Sequence, residues 1–164
     1  MPIRNILADL RAGNYKPVYF LQGEEPFYID RISDYIAQHA LTEDEKSFNQ
    51  SVLYGLDTDI GTIVSEAKRF PMMAQRQVVI IKEAQRIRNL IPSGEDAKSE
   101  LISYLENPQP TTVLVICHKY KKIDARKKLG KALKAAVEKH GVFYTSEKVK
   151  DWTLATWISD HVQT

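Results

Sequence analysis

The chain has 164 residues, 43% of them hydrophobic and 27% charged, with a formal net charge of +2. That is about one domain able to bury a core, which excludes a disordered chain, and so small a positive surplus does not by itself argue for nucleic acid. The apolar runs are far too short to span a membrane, the N-terminus lacks a signal-peptide core, and the lone Cys117 excludes an internal disulfide framework and fits a reducing cytosol.

In chain order, Ile3, Ile6, Leu7 and Leu10 predict a short amphipathic helix that stops near Gly13. Val18-Tyr19-Phe20-Leu21 predicts a strand. After Gln22-Gly23, Pro26 and the spacing of Tyr28, Ile29, Ile32, Tyr35 and Ile36 predict a helix over 26–40. Residues 47–54 alternate, with Phe48, Val52 and Tyr54 on one face and Ser47, Asn49 and Ser51 on the other, the pattern of a half-exposed edge strand. Ile60, Ile63, Val64 and Ala67 predict a helix ended by Pro71. Val78-Val79-Ile80-Ile81 is β-branched and apolar throughout, which predicts a central parallel strand. A polar loop over 89–97 leads to a helix with Leu101, Ile102 and Leu105, and Val113-Leu114-Val115-Ile116 is a second central strand. Leu129, Ala132, Leu133, Ala136 and Val137 line a further helix, Gly141 caps it, and Val142-Phe143-Tyr144 is the last strand.

Strands alternating with helices in this way predict an α/β fold, a doubly wound, mainly parallel five-stranded sheet with helices on both faces. Residues 1–145 are expected to form that domain. Residues 146–164 are expected to be a linker and the truncated start of a following helical (lid) domain, with Trp152, Leu154, Trp157, Ile158 and Val162 lining a helix.

Strand, glycine turn and helix over 18–36 is the arrangement with which P-loop proteins hold nucleotide phosphates, using backbone N–H groups, a lysine and a hydroxyl. Here the turn offers Glu24 and Glu25, and no Gly-Lys-Ser/Thr follows. An NTPase of this type also needs an acid at the tip of a central strand for Mg²⁺ and a polar γ-phosphate sensor on the next strand. Lys82 stands in the first place, followed by Glu83, and the second strand ends in Cys117-His118. Three parts fail together, so neither a nucleotide cofactor nor a catalytic site is expected. On their own, Glu24 and Glu25 read as acids stabilising a helix N-terminus, and Lys82 and Glu83 as a solvated strand end. Cys117 closes an apolar run and reads as an inert buried thiol. His39, His118, His140 and His161 have no metal-ligand spacing, so no metal site is expected.

The stretches PVYFLQGEEPFYIDRI, RFPMMAQRQVVIIKEA and KYKKIDARKKLGKAL together resemble the N-terminal domain of the delta subunit of bacterial DNA polymerase III, a clamp-loader subunit. The resemblance runs from Ile3 to Tyr144 and keeps the degenerate phosphate turn and the degenerate acidic motif in order. It implies an AAA+-type fold without ATP hydrolysis, retained because it packs beside ATP-binding neighbours in a ring. It implies a cytoplasmic protein that opens the sliding clamp (the beta subunit) in DNA replication. The other implied partners are the gamma/tau and delta prime subunits and primed DNA, with no membrane. The chain would then hold no catalytic site itself while belonging to a DNA-directed DNA polymerase (nucleotidyltransferase) complex.

By the same resemblance the clamp-binding residues are Phe70, Pro71, Met72 and Met73. The family places two adjacent apolar residues before the central strand as a wedge into a pocket on the clamp. Two methionines depart from the leucine and aromatic residue often found there, although methionine's flexible thioether suits a groove. On the residues alone, Met72 and Met73 would read as core side chains beneath a loop. Lys121, Lys122, Lys127, Lys128 and Lys131, within a basic run over 119–134 that holds one acid, Asp124, are candidates for contact with DNA phosphates or an acidic partner, or form a solvated face. The rival functional readings are an ATP-hydrolysing AAA+ or P-loop domain and a DNA-binding accessory domain.

Overall fold

The computed structural model of the chain describes residues 2–94 and 96–147. The expected helix at 151–162, and with it the start of a following domain, lies outside the described residues. Among the described residues five strands form one wholly parallel sheet: β1 (Val18–Gly23), β2 (Gln50–Tyr54), β3 (Gln77–Lys82), β4 (Thr112–Lys119) and β5 (Val142–Ser146), in the order β2-β3-β4-β1-β5.

Strand side chains alternate between faces, and both faces here are covered. Phe20, Val79, Ile81, Leu114 and Ile116 pack on one side under α4 (Ile60–Ala67), α5 (Glu100–Glu106) and α6 (Lys128–His140). Tyr19, Leu21, Val78, Ile80, Val113, Val115 and Cys117 pack on the other under α1 (Ile3–Arg11) and α2 (Pro26–His39). The expected doubly wound sheet is therefore present, with β3 and β4 inside it and β2 at one edge. No helix among the described residues is long and apolar enough to cross a membrane.

Residues 47–49, expected to open the edge strand, are helical instead. They end α3 (Glu43–Asn49), which starts at a capping box: Thr42 Oγ1 accepts from the Glu45 N–H at 3.3 Å, and Glu45 Oε1 accepts from the Thr42 N–H at 2.9 Å. That reciprocal pair satisfies two N-terminal donors, and the local helix wins over the period-2 pattern. The strand begins only at Gln50. Its Leu53 packs on the core, while Phe48, Val52 and Tyr54 are in solvent.

Candidate functional site

All five strands run the same way, so the turns fall on two opposite edges of the sheet. The β1–α2 turn is on the carboxyl edge, where open parallel sheets bind ligands. Gly23 has φ of 125°, and a Cβ there would collide with the Ser146 backbone carbonyl, so only glycine fits. Glu25 is the N-cap of α2, and its Oε1 accepts from the Phe27 N–H at 3.1 Å. The next residue, Pro26, has no N–H to offer. Ser146 Oγ accepts from the Glu25 N–H at 3.2 Å and donates to the Gln22 carbonyl at 3.3 Å. The Gly23 carbonyl accepts from the Tyr120 N–H at 2.8 Å. A carboxylate of the chain itself thus holds an N–H that a phosphate would use, and it opposes any incoming anion.

Beside this turn one ion pair is closed within the chain. Lys119 Nζ pairs with Asp30 Oδ1 at 2.7 Å. Burial works against the Lys119 ammonium, but the bond to Asp30 and the charges of Asp30 and Glu83 outweigh it and raise its pKa above the usual lysine value. Glu83 sits in the left-handed region, and its carboxylate meets the side-chain amide of Gln85, whose Oε1 accepts from the Lys119 N–H. Lys119 is therefore committed inward and does not belong to the free basic face. Burial drives the Cys117 thiol up to about 11, consistent with an inert side chain. Among the described residues no three His, Cys, Asp or Glu side chains gather to hold a metal ion.

The amino edge carries the α4–β3 loop. Phe70, Met72 and Met73 are 77%, 53% and 101% exposed, and Pro71 is half-buried. The core placement that the residues alone suggested for the two methionines is thus overturned. With the helix ended at Ala67 and Pro71 just beyond, the pair cannot continue the buried face of α4. Below this apolar tip, side chains bond the backbone at Glu66, Ala67, Arg69 and Met72. Gln77 Nε2 reaches the carbonyls of Glu66, Ala67 and Arg69 at 3.0, 3.3 and 2.6 Å, capping the last turn of α4. Thr112 Oγ1 donates to the Ala67 carbonyl at 2.6 Å, and Gln109 Nε2 to that of Arg69 at 2.5 Å. On the far limb the Arg76 guanidinium lies 4.5 Å from the centre of the Tyr15 ring. The Asn49 side chain bonds both backbone groups of Met72. None of Asn49, Gln77, Gln109 or Thr112 was legible as a site residue. A polar side chain flanking an apolar strand, as Gln77 does, is the one signal that could have pointed to them.

Lys121, Lys122, Lys127, Lys128 and Lys131 are all exposed. The first three lie in the loop after β4, on the carboxyl edge, because α6 begins only at Lys128. Ile123, buried between them, donates its N–H to Gln22 Oε1 at 2.8 Å and ties this loop to β1. Asp124, the acid of the run, is engaged by Arg126 at 3.2 Å. The lysines are thus displayed from an anchored loop and helix start, though not from one continuous helix.

This strand order, with a glycine turn after β1 but no lysine and hydroxyl behind it, defines an AAA+-like α/β domain with a degenerate nucleotide turn. The chain belongs to the family of the DNA polymerase III delta subunit, whose model matches residues 19–141. It is 34% identical over 137 residues to the DNA polymerase III subunit delta of Bacillus subtilis (strain 168), covering 79% of this chain and 38% of that protein. The solved Bacillus subtilis DNA clamp loader delta protein superposes with a TM-score of 0.75 at 27% identity, over 97% of this chain and 48% of that one. A DNA polymerase III gamma subunit-related protein from Thermotoga maritima shares the fold, with a TM-score of 0.52 at 15% identity over 90% of this chain and 47% of that one. The chain thus spans about half or less of the length of these relatives.

Proposed function

We propose that this chain is the clamp-contacting domain of a clamp-loader delta subunit, binding and opening the sliding clamp without binding or hydrolysing ATP. Phe70, Pro71, Met72 and Met73 are the contact, and the observation that carries the reading is the solvent exposure of Phe70, Met72 and Met73 on a backbone bonded by side chains at Arg69 and Met72. Burying an exposed methionine in a partner pocket is worth roughly 1.5–3 kcal/mol, so two adjacent ones dominate a small interface. Glu25, turned onto its own helix, supports the absence of ATP from this role. In the assembled loader, in the cytoplasm, this domain, whose sheet closes with β5 at Ser146, sits beside the gamma/tau and delta prime subunits. Lys121, Lys122, Lys127, Lys128 and Lys131 contact primed DNA or an acidic neighbour from the carboxyl edge.

The test is Met72→Ala combined with Met73→Ala. Clamp binding should be lost while the melting temperature stays at the wild-type value, because neither side chain packs in the core. Clamp binding at wild-type strength would place the contact elsewhere.

A further inference from the structure

We propose that Asn49 is the positioning residue of the apolar loop: its buried side chain presets the backbone from which Met72 and Met73 project toward the clamp. The inference rests on the clamp-binding reading of that loop. Asn49 ends α3 and is 3% exposed. Its Oδ1 accepts from the Met72 N–H at 2.6 Å, and its Nδ2 donates to the Met72 carbonyl at 2.9 Å. The same nitrogen donates to the Glu45 carbonyl at 2.9 Å. The Met72 N–H must meet an acceptor, which fixes the orientation of the amide. One side chain thus holds both backbone groups of one residue, as a neighbouring strand would.

The residue after it needs that support. Met73 has φ of 54°, a left-handed conformation costly for a residue with a Cβ, and its side chain is fully exposed. Packing of Met73 therefore does not hold the turn. The paired bonds at Met72 and the capping amide of Gln77 bracket it instead. A loop ordered before docking avoids the entropy loss that a free loop would suffer on binding, so the amide raises clamp affinity without touching the clamp.

The experiment uses the whole chain and the purified cognate sliding clamp. It compares the wild type, Asn49→Ala, Asn49→Asp, and Met72→Ala with Met73→Ala, by clamp affinity and by amide hydrogen exchange. Asn49→Ala should weaken clamp binding about tenfold. Exchange should speed up at Met72 and Met73, while Val79 and Ile80 in β3 keep their protection. If Asn49→Ala does not fold, the isosteric Asn49→Asp carries the test, since it keeps the acceptor but sets an oxygen against two carbonyls. Wild-type affinity in a folded Asn49 variant, with binding lost in the methionine pair variant, overturns the positioning role alone. Loss of protection throughout β3 in both Asn49 variants also overturns it, because the amide would then hold the fold and not the loop. Full binding by the methionine pair variant overturns the clamp-binding reading itself.

Discussion

At the carboxyl edge of the sheet, the β1–α2 turn has its polar groups consumed by the chain: Glu25 on the Phe27 N–H, Ser146 on Glu25 and Gln22, and Lys119 on Asp30. At the amino edge, the α4–β3 loop is held just as firmly by Asn49, Gln77, Gln109 and Thr112, yet its apolar side chains are left in water. Both segments use side chains to bond backbone. They differ in what remains available afterwards. The turn that would cradle a phosphate has little capacity left for one, whereas the loop keeps an unmatched apolar surface on a fixed frame. An open parallel sheet, a fold that binds ligands at its carboxyl edge, can thus display an exposed apolar tip at the other.

The sharpest way to break the contrast, after the loss of clamp binding expected for the methionine pair, is to remove the anchor under the loop. Gln77→Ala removes the two N–H donors shared among the carbonyls at the end of α4, of which those of Ala67 and Arg69 keep Thr112 and Gln109, and at about 0.5–1.5 kcal/mol for each hydrogen bond the loss is about 1–3 kcal/mol. Urea denaturation should report that loss, and clamp affinity should fall with it. A change in neither would show that the amide is not an anchor.

A smaller effect is expected at the other edge. Glu25→Ala removes the N-cap of α2, at a cost of about 0.5–2 kcal/mol. Calorimetry with Mg²⁺-ATP should remain silent in both forms, since the lysine and hydroxyl are still missing. Micromolar binding by the variant alone would mean that this one carboxylate had closed the turn. Lys127→Glu with Lys128→Glu and Lys131→Glu should leave the melting temperature unchanged, because all three side chains are exposed. If they meet phosphates, DNA-dependent clamp loading by the reassembled complex should fall and its salt dependence should flatten. Unaltered loading would reduce them to a solvated face.

The gentlest probe is pH. His118 is buried at the end of β4, and burial holds its imidazole below the usual histidine pKa despite the bond between Nδ1 and the Lys121 carbonyl. The unfolded chain, with its histidine near 6.5, takes up a proton that the folded chain resists. Stability should therefore be intact above that value and decline as the pH falls below it. The urea midpoint should drop between pH 7.5 and pH 5, and less so in His118→Gln. An identical drop in both would assign the effect to other groups.

The strands of the sheet were legible because β-branched apolar runs such as Val78-Val79-Ile80-Ile81 have little choice but a doubly covered sheet. The helix at 43–49 was not, because the capping box at Thr42 and Glu45 acts locally while the alternation beyond it suggested a strand. The outward projection of Met72 and Met73 reverses the core placement that the residues alone suggested, because α4 ends at Ala67 and Pro71 keeps the pair off its buried face. Their frame could not be read. Asn49 and Gln77 look like ordinary polar residues until the fold brings distant carbonyls and N–H groups to them. The inward pairing of Lys119, at the start of the basic run, was hidden for the same reason, since Asp30 reaches this strand end from α2.

The fully exposed side chain of Met73 implies a division of labour that selection and engineering can both exploit. Since the frame is made by Asn49, Gln77, Gln109 and Thr112, positions 70 and 72 are free to change in size and shape, and position 73 among residues that tolerate its left-handed backbone, without unsettling the rest of the molecule. The tip then behaves as an interchangeable key bit. If the tip meets the clamp as proposed, libraries confined to those three positions should yield stable proteins retuned to sliding clamps of different pocket shape.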